Sequence, residues 1–347
     1  MNILMALAQI EMTGAETYAV SISDELIRRG HKVYIMSDNL SRRTNAEYHP
    51  VPFCRRHYPD RWRIIKKLVG FIREKNIDLI HAHARASSWV SYIATRLTKT
   101  AMLTTLHSRQ AIHFSKKIFP AFGDLSIAIC ENVKTHTVNR LGIDPEKIII
   151  LRNGIDTTAF APPENMVNNH KPVVSIIGRL SGPKGEIAYH LMDEVFDYDR
   201  YIVKSVGGSD IPIRFGKFAD RVEFVGYVDD VTGFMAESDV VVGAGRVAME
   251  AILMGRPVVA VGEDTSVGLV TRDNIDAALA NNFGDWNPDE RKTHNLGPVK
   301  GDILRALDIK SADREVMARV RNEFDIKLIV DRLECIYREQ IELKNRK

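Results

Sequence analysis

Short apolar runs alternate with stretches whose apolar residues recur at helical spacing, and the series occurs twice along the 347 residues. In the first half the runs are residues 2–10, 32–36, 77–81, 101–106, 125–130 and 148–151. In the second they are 173–177, 201–206, 222–225, 239–242 and 257–261. Between the first two, Ala15, Ala19, Ile22 and Leu26 mark one helical face, and Gly30 stops that helix. A strand that is followed by a helix and then another strand pairs in parallel, with the helices covering both faces of the sheet. Two such series predict an α/β chain of two doubly wound, Rossmann-like parallel-sheet domains facing a central cleft. The expected domains are residues 1–162 and 163–324, joined by a linker at 162–171 that is rich in Asn and Pro.

The segment VVSIIGRLSGPKG, residues 173–185, carries the most chemistry. Its apolar run ends at Gly178, and Arg179, a Gly182-Pro183 turn and Lys184 follow. Ligands of open α/β sheets bind at the carboxyl ends of the strands. Two cations there suit a diphosphate, each charge-assisted hydrogen bond being worth roughly 1.5–3 kcal/mol. The same residues also fit a strand-to-helix loop with solvated basic side chains.

Charge is unevenly spread. Residues 1–160 hold 23 Lys and Arg against 14 Asp and Glu, whereas the remainder holds 25 against 31. Arg55, Arg56, Arg61, Arg63, Lys66, Lys67 and Arg73 surround Trp62, Ile65, Leu68 and Ile72, which recur at helical spacing. That pattern describes a helix packed on a sheet with a basic outer face, or a patch that meets anionic lipid headgroups or an anionic acceptor. Cys54, Cys130 and Cys335 are far apart and form neither a metal-ligand spacing nor a disulfide framework. The opening MNILMALAQI lacks a basic leader and reads as a first strand, and no run approaches the ~20 apolar residues that span a bilayer. A cytoplasmic location is expected.

Four further loops fall at expected strand ends. Thr13 and Glu16 have capping-box spacing around Gly14, whose bare backbone admits a ligand near a helix amino terminus. His81 and His83 end one strand with Arg85 beyond, and His107 ends the next. Gly243-Ala244-Gly245-Arg246 is a glycine-rich turn at a helix start, with Glu250 about one turn in, able to accept ribose hydroxyls. No HExxH and no cysteine pair occurs, and no metal and no cofactor is expected. Neutralising a diphosphate then falls to cations and backbone N–H groups.

Together these pieces resemble the retaining glycosyltransferases of the GT-B fold, specifically glycosyltransferase family 4. TGAETYAVSISDELIRRGHKVYIMS resembles the family's opening glycine loop and first helix. IDLIHAH and TTLHS resemble its second and third strand-end motifs. AICENVKTHTVNRLGIDPEKIIILRNGIDTTAF, IIGRLSGPKG, VEFVGYVDDV and EAILMGRPVVA continue the ordered set. VRNEFDIKLIVDRLECIYREQI resembles the last helix, about residues 325–342, which in the family crosses back onto the first domain.

The resemblance implies roles. Arg179 and Lys184 hold the donor diphosphate, with Gly178 in the same motif, and Glu250 binds the ribose. Gly14, Gly243 and Gly245 line the phosphate side, Val225 and Tyr227 flank the base, and His107 sits by the donor sugar. His107, Arg179 and Lys184 are the expected catalytic residues, and His83 and Arg85 fall on the acceptor side. The reaction implied is transfer, with retention, from a UDP- or GDP-sugar to a hydroxyl of a glycan or lipid-linked acceptor, as in cell-surface polysaccharide assembly. Nucleic acid is not an expected partner. Peripheral contact with an anionic membrane, at its inner face, is.

One departure stands out. The family pairs two glutamates eight positions apart, and eight before Glu250 stands Val242 on a shortened loop. Arg246 lies near that gap as a substitute contact. Two alternatives stand beside this reading: a catalytically silent nucleotide-sugar-binding partner protein, which the missing carboxylate supports, and a GT-B nucleotide-sugar epimerase, which it argues against because such an enzyme needs acidic residues around the sugar.

Overall fold

The computed structural model describes residues 1–8, 14–55, 57–107, 119–163, 170–208, 210–287 and 295–346. Thr13, Arg56, Ser108 of TTLHS and positions 164–169 of the expected linker lie outside the described residues. The chain divides into one unit of Met1–Asp156 with Glu323–Lys347 and a second of Thr157–Asn322.

The first unit is built on β1 (Asn2–Ala6), β2 (Lys32–Ser37), β3 (Glu47–Pro50), β4 (Leu79–Ala82), β5 (Ala101–Leu106), β6 (Leu125–Ala128) and β7 (Ile148–Ile150). They pair in the order β3-β2-β1-β4-β5-β6-β7, every pair parallel. Strands β4 and β5 are buried throughout, because helices cover both faces and leave no solvated side to alternate toward. Residues of β1 alternate between two cores: Ile3 and Met5 pack with α1 (Gly14–Arg28), Leu4 and Ala6 with α2 (Tyr58–Glu74) and α3 (Arg85–Thr98). A fourth helix, α4 (Glu131–Leu141), ends at Gly142, whose φ of +68° suits a left-handed cap.

On α2 the buried stripe is Ile64, Ile65, Leu68, Phe71 and Ile72. The sequence pattern put Trp62 in that stripe; instead it is 54% exposed. Arg61 makes the inward contact at that turn, its guanidinium 4.7 Å over the Trp89 ring.

The last helix, Ile326–Asn345, belongs to this first unit. Ile326, Ile329, Val330, Leu333 and Tyr337 form its buried stripe and join Tyr18, Ile22 and Leu26 of α1 in one core. Its start is fastened at Ile155, whose N–H donates to Phe324 O at 2.7 Å while its carbonyl receives Ile326 N–H at 2.9 Å. Asp325 caps the helix by accepting Lys327 N–H at 2.8 Å. Arg29–Asp331, His31–Glu334 and Lys344–Asp124 pairs add contacts along its length.

The second unit carries β8 (Val173–Ile177), β9 (Ile202–Val206), β10 (Val222–Gly226), β11 (Val240–Gly243), β12 (Val258–Val261) and β13 (Ser266–Leu269), in the order β10-β9-β8-β11-β12-β13. Its helices include α5 (Gly182–His190), α6 (Thr232–Glu237), α7 (Arg246–Leu253), α8 (Ile275–Ala280), α9 (Val299–Ile309) and α10 (Arg314–Phe324), the last ending just inside the first unit. The core joins Val174, Val203, Val240 and Val259 of the sheet to Ile187 of α5 and Ile303 of α9.

Two strands were missing from the pattern read in sequence. β3 is short and half exposed, so it shows no buried run. β13 pairs antiparallel with β12, which departs from the all-parallel expectation. The four residues between them are too few for a crossover, and only a reversal fits.

Leu333 is fully buried against α1. Leu333→Ala is expected to cost about 2–5 kcal/mol, read as a lower denaturant midpoint of the first unit, although the residue lies far from that sheet in sequence.

Candidate functional site

In each sheet the strand order reverses once, between β1 and β4 in the first unit and between β8 and β11 in the second. Loops leave the two strands on either side of a reversal in opposite directions, so the carboxyl edge opens there.

In the second unit β8 ends at Ile177, and Gly178, Arg179, Leu180 and Ser181 lead into α5. A Cβ on Gly185 would stand 2.2 Å from Leu180 O, so only glycine lets this loop fold against the first turn of α5. That fold sets Lys184 within 3.3 Å of Asp285, and Arg179 lies 3.5 Å from Glu263. Both spacings exceed the about 2.7–2.9 Å of a tight ion pair. On the other side, β11 ends at Gly243 and Gly245 caps α7 at φ +55°. A Cβ there would meet Asp285 Oδ2 at 2.6 Å, so the Asp285 carboxylate touches both loops of the reversal. The N–H of Gly245 donates to Asn282 O at 3.2 Å, and Arg246 Nε donates to the buried Glu250 carboxylate at 2.5 Å. Burial pushes the Asp285 carboxyl up; Lys184 draws it back down and Glu263 pushes it up again.

Arg179, Lys184, Arg246, Gly178, Gly243, Gly245 and Glu250 are therefore gathered on two neighbouring strand-to-helix connections and the starts of the helices that follow. Val225 and Tyr227 lie at the end of β10, where Val225 is the unpaired residue of a bulge and the half-exposed Tyr227 donates to Asp229 at 2.9 Å. Sequence reading missed Glu263 and Asp285. Glu263 follows β12 in GED, a strand-end signal of the kind used elsewhere. Asp285 sits 101 residues from Lys184 with no local mark.

In the first unit His83 and His107 stand one residue past β4 and β5. His83 N–H donates to Ala6 O at 2.9 Å, which ties it to the end of β1 across the reversal. His83 Nδ1 lies 3.1 Å from His107 Nε2. Behind them His81 is fully buried, with Nδ1 2.6 Å from Tyr337 Oη and Nε2 2.7 Å from Thr105 Oγ1. Tyr18 meets both His83 and His107 edge-on, at 5.8 and 5.4 Å between ring centroids. Burial holds all three imidazoles neutral, lowering His81 to about 3, His107 to about 4 and His83 well below the usual range.

Gly14 opens α1 at an exposed position where a Cβ would meet no atom within 4 Å. The expected box with Thr13 falls outside the described residues; Glu16 Oε1 accepts Ser41 and Arg42 N–H, both at 2.7 Å, and binds α1 to the loop after β2. Arg85 donates to the carbonyls of Phe119 and Pro120 and is lowered to about 10 by burial and by Arg61. Its guanidinium thus clasps backbone. Among the described residues no group of three or more His, Cys, Asp and Glu is placed to hold a metal ion.

Residues 12–159 match the family model Glycosyltransferase Family 4. This part of the chain belongs to that family. Over 288 residues the chain is 24% identical to a component of the phosphatidylinositol N-acetylglucosaminyltransferase of Arabidopsis thaliana, covering 74% of this chain and 63% of the relative's length. A glycosyltransferase from Rickettsia africae superposes with a TM-score of 0.78 at 20% identity, covering 98% of both chains. Anabaena HepE in complex with UDP-glucose superposes with a TM-score of 0.74 at 19% identity, covering 97% of this chain and 99% of that one. The fold of the chain is GT-B, as its motifs implied, with two Rossmann-like units.

The neutral histidines carry a pH signature. In the unfolded chain each takes a proton near 6.5, whereas the folded chain refuses it until about 4 for His107 and about 3 for His81. Stability is therefore complete above the unfolded value and is lost as pH falls through this window. Each excluded proton adds about 1.4 kcal/mol per pH unit to the slope. Unfolding free energies measured from pH 7 to 4 are expected to fall this way, and His81→Gln is expected to remove about one proton from the slope.

Proposed function

We propose that this chain is a retaining glycosyltransferase that moves a sugar from a nucleoside diphosphate sugar, UDP- or GDP-linked, to a hydroxyl of a glycan or lipid-linked acceptor. The observation that carries this reading is the pair of cations at the reversal in the second unit, in a chain whose first half is a family 4 domain. Arg179 and Lys184 take the diphosphate, whose leaving charge they neutralise. Glu250 takes the ribose, Val225 and Tyr227 the base, and Gly14 and His107 the phosphate and sugar from the first unit. A metal-independent reaction follows if these cations suffice. The acceptor proton passes to the departing phosphate oxygen, so alignment and charge stabilisation matter more than a strong base.

Without a donor, Arg179 and Lys184 face Glu263 and Asp285 at loose ion-pair distance. A diphosphate competes with those carboxylates for the same cations. Affinity should then fall with rising salt, since Arg179 is 61% exposed.

The name of the Arabidopsis relative supports a lipid-linked acceptor, and with it work at the inner face of a membrane. On α2 the exposed Tyr58 and Trp62 stand among exposed Arg63, Lys66, Lys67 and Arg73, a surface suited to anionic headgroups. No helix among the described residues is long and apolar enough to cross a membrane. Sedimentation with phosphatidylserine vesicles is expected to pull down the protein. Replacing Trp62 and Lys66 with Ala should reduce the bound fraction severalfold, and neutral vesicles should bind little.

Arg179→Ala and Lys184→Ala are each expected to weaken UDP or GDP binding about tenfold or more, as the loss of one charge-assisted bond requires. Calorimetry on both nucleotides reads this and names the base; unchanged affinity in both variants ends the reading. Slow release of free sugar from a bound UDP- or GDP-sugar is the expected turnover. A new sugar isomer would instead mark an epimerase, and binding without turnover a silent partner protein.

A further inference from the structure

His83 is 4% exposed, and its Nδ1 faces His107 Nε2 at 3.1 Å with the rings inclined by 28°. The other nitrogen of each ring, His83 Nε2 and His107 Nδ1, is buried without a hydrogen-bond partner among the described residues. His81 differs, because Tyr337 and Thr105 satisfy both of its nitrogens. A buried, unsatisfied ring nitrogen is costly in a site kept dry, and such groups are rare in folded proteins. Two of them, on adjoining rings at the strand-order reversal, mark a place prepared for a polar ligand.

A neutral imidazole carries one N–H, and one hydrogen bond needs one proton between its two nitrogens. If His83 Nδ1 holds that proton, His107 Nε2 is bare and its own proton lies on Nδ1. If His107 Nε2 holds it, His83 Nδ1 is bare and its proton lies on Nε2. Both rings are therefore Nδ1–H, or both are Nε2–H. Each choice leaves one free N–H and one bare nitrogen at opposite ends of the pair. Mixed tautomers would put two protons or none in the gap.

We propose that His83 and His107 form one tautomerically locked pair that offers hydroxyl groups of the ligand one donor and one acceptor, with His83 acting as a positioning residue that sets the tautomer of His107. The hydroxyl assignment rests on the nucleotide-sugar reading above. Tyr18, edge-on to both rings, and His81, 4.2 Å from His83, pack against the pair and fix its rings. No bond to carbon is made or broken by the pair. Exchange between its two forms moves one proton from His83 Nδ1 to His107 Nε2, and the free ends exchange one proton each with the bound hydroxyls.

The test is two-bond nitrogen–proton correlation spectroscopy on the full chain labelled with 15N-histidine at pH 7, assigned with His83→Asn and His107→Gln. Matching tautomers on His83 and His107 are expected; opposite tautomers, or a doubly protonated ring, overturn the lock. Asn places its amide near the Nδ1 position, whereas Leu removes it. With UDP-glucose as probe, His83→Leu should lower kcat for sugar release about tenfold with KM within about twofold, and His83→Asn should restore most of it. Equal losses in both variants, or none in either, would reduce His83 to a packing residue and overturn its positioning role. If the tautomers match and none of a panel of UDP- and GDP-sugars turns over or moves the ring nitrogen shifts, the nucleotide-sugar reading and the hydroxyl assignment fail together, and the lock alone stands.

Discussion

A parallel sheet cannot reverse its chain within the sheet. Each strand must be entered from the same end, so all the returning loops gather at one edge and all the departing loops at the other. Where the strand order turns from one direction to the other, two departing loops diverge and leave room. Both units of this chain have that arrangement, at β1 and β4 and again at β8 and β11. His83, His107, Arg179, Lys184, Arg246 and Glu250 stand on loops departing from this edge or in the helices that follow them, while Val225 and Gly243 close their strands. The fold therefore builds a loop cluster in each unit by connectivity before any side chain is chosen.

The loop clusters of the two units differ in electrostatics. The loops of the second unit hold Arg179, Lys184 and Arg246 against Glu263, Asp285 and Glu250, equal numbers of each sign. Such a balance lets cations be kept in a partly buried place without a ligand. It also means that an arriving diphosphate exchanges one anionic partner for another, so its net gain is smaller than bare Coulomb attraction suggests. In the first unit three imidazoles are packed so closely that burial denies them a proton. There the chemistry available is neutral hydrogen bonding, which suits hydroxyl groups better than phosphates.

Much of this was legible from residue order. The run ending at Gly178 and the cations after it read as a strand-end anion site, and Arg179 and Lys184 do sit at the carboxyl end of β8. The sequence placed His81 and His83 at the end of one strand and His107 at the end of the next; the strands stop at Ala82 and Leu106, so His81 lies within β4 and His83 and His107 stand one residue past their strands. The last helix was implied by the resemblance of VRNEFDIKLIVDRLECIYREQI, and the fold shows its stripe as Ile326, Ile329, Val330 and Leu333. Trp62 misled because periodicity alone cannot say which side of a first turn meets the sheet, and Arg61 took the inward place by stacking on Trp89. β13 was overlooked because its four residues carry a glycine at φ +79° and no buried run.

The chain's own order determined the succession of strands and helices, the basic loop after β8 and the histidines after β4 and β5. Hydrophobic period, turn chemistry and the freedom of glycine act between residues a few positions apart, so they are written locally. Only the folded chain decided that Asp285 faces Lys184, that Tyr337 and Thr105 saturate His81, and that His83 Nδ1 meets His107 Nε2 while the second nitrogen of each ring finds no partner among the described residues. Ion pairs and hydrogen bonds depend on separation in space, and the helices that carry the chain back over its sheets bring residues hundreds of positions apart to within 3 Å, as His81 and Tyr337 are, 256 residues apart in sequence.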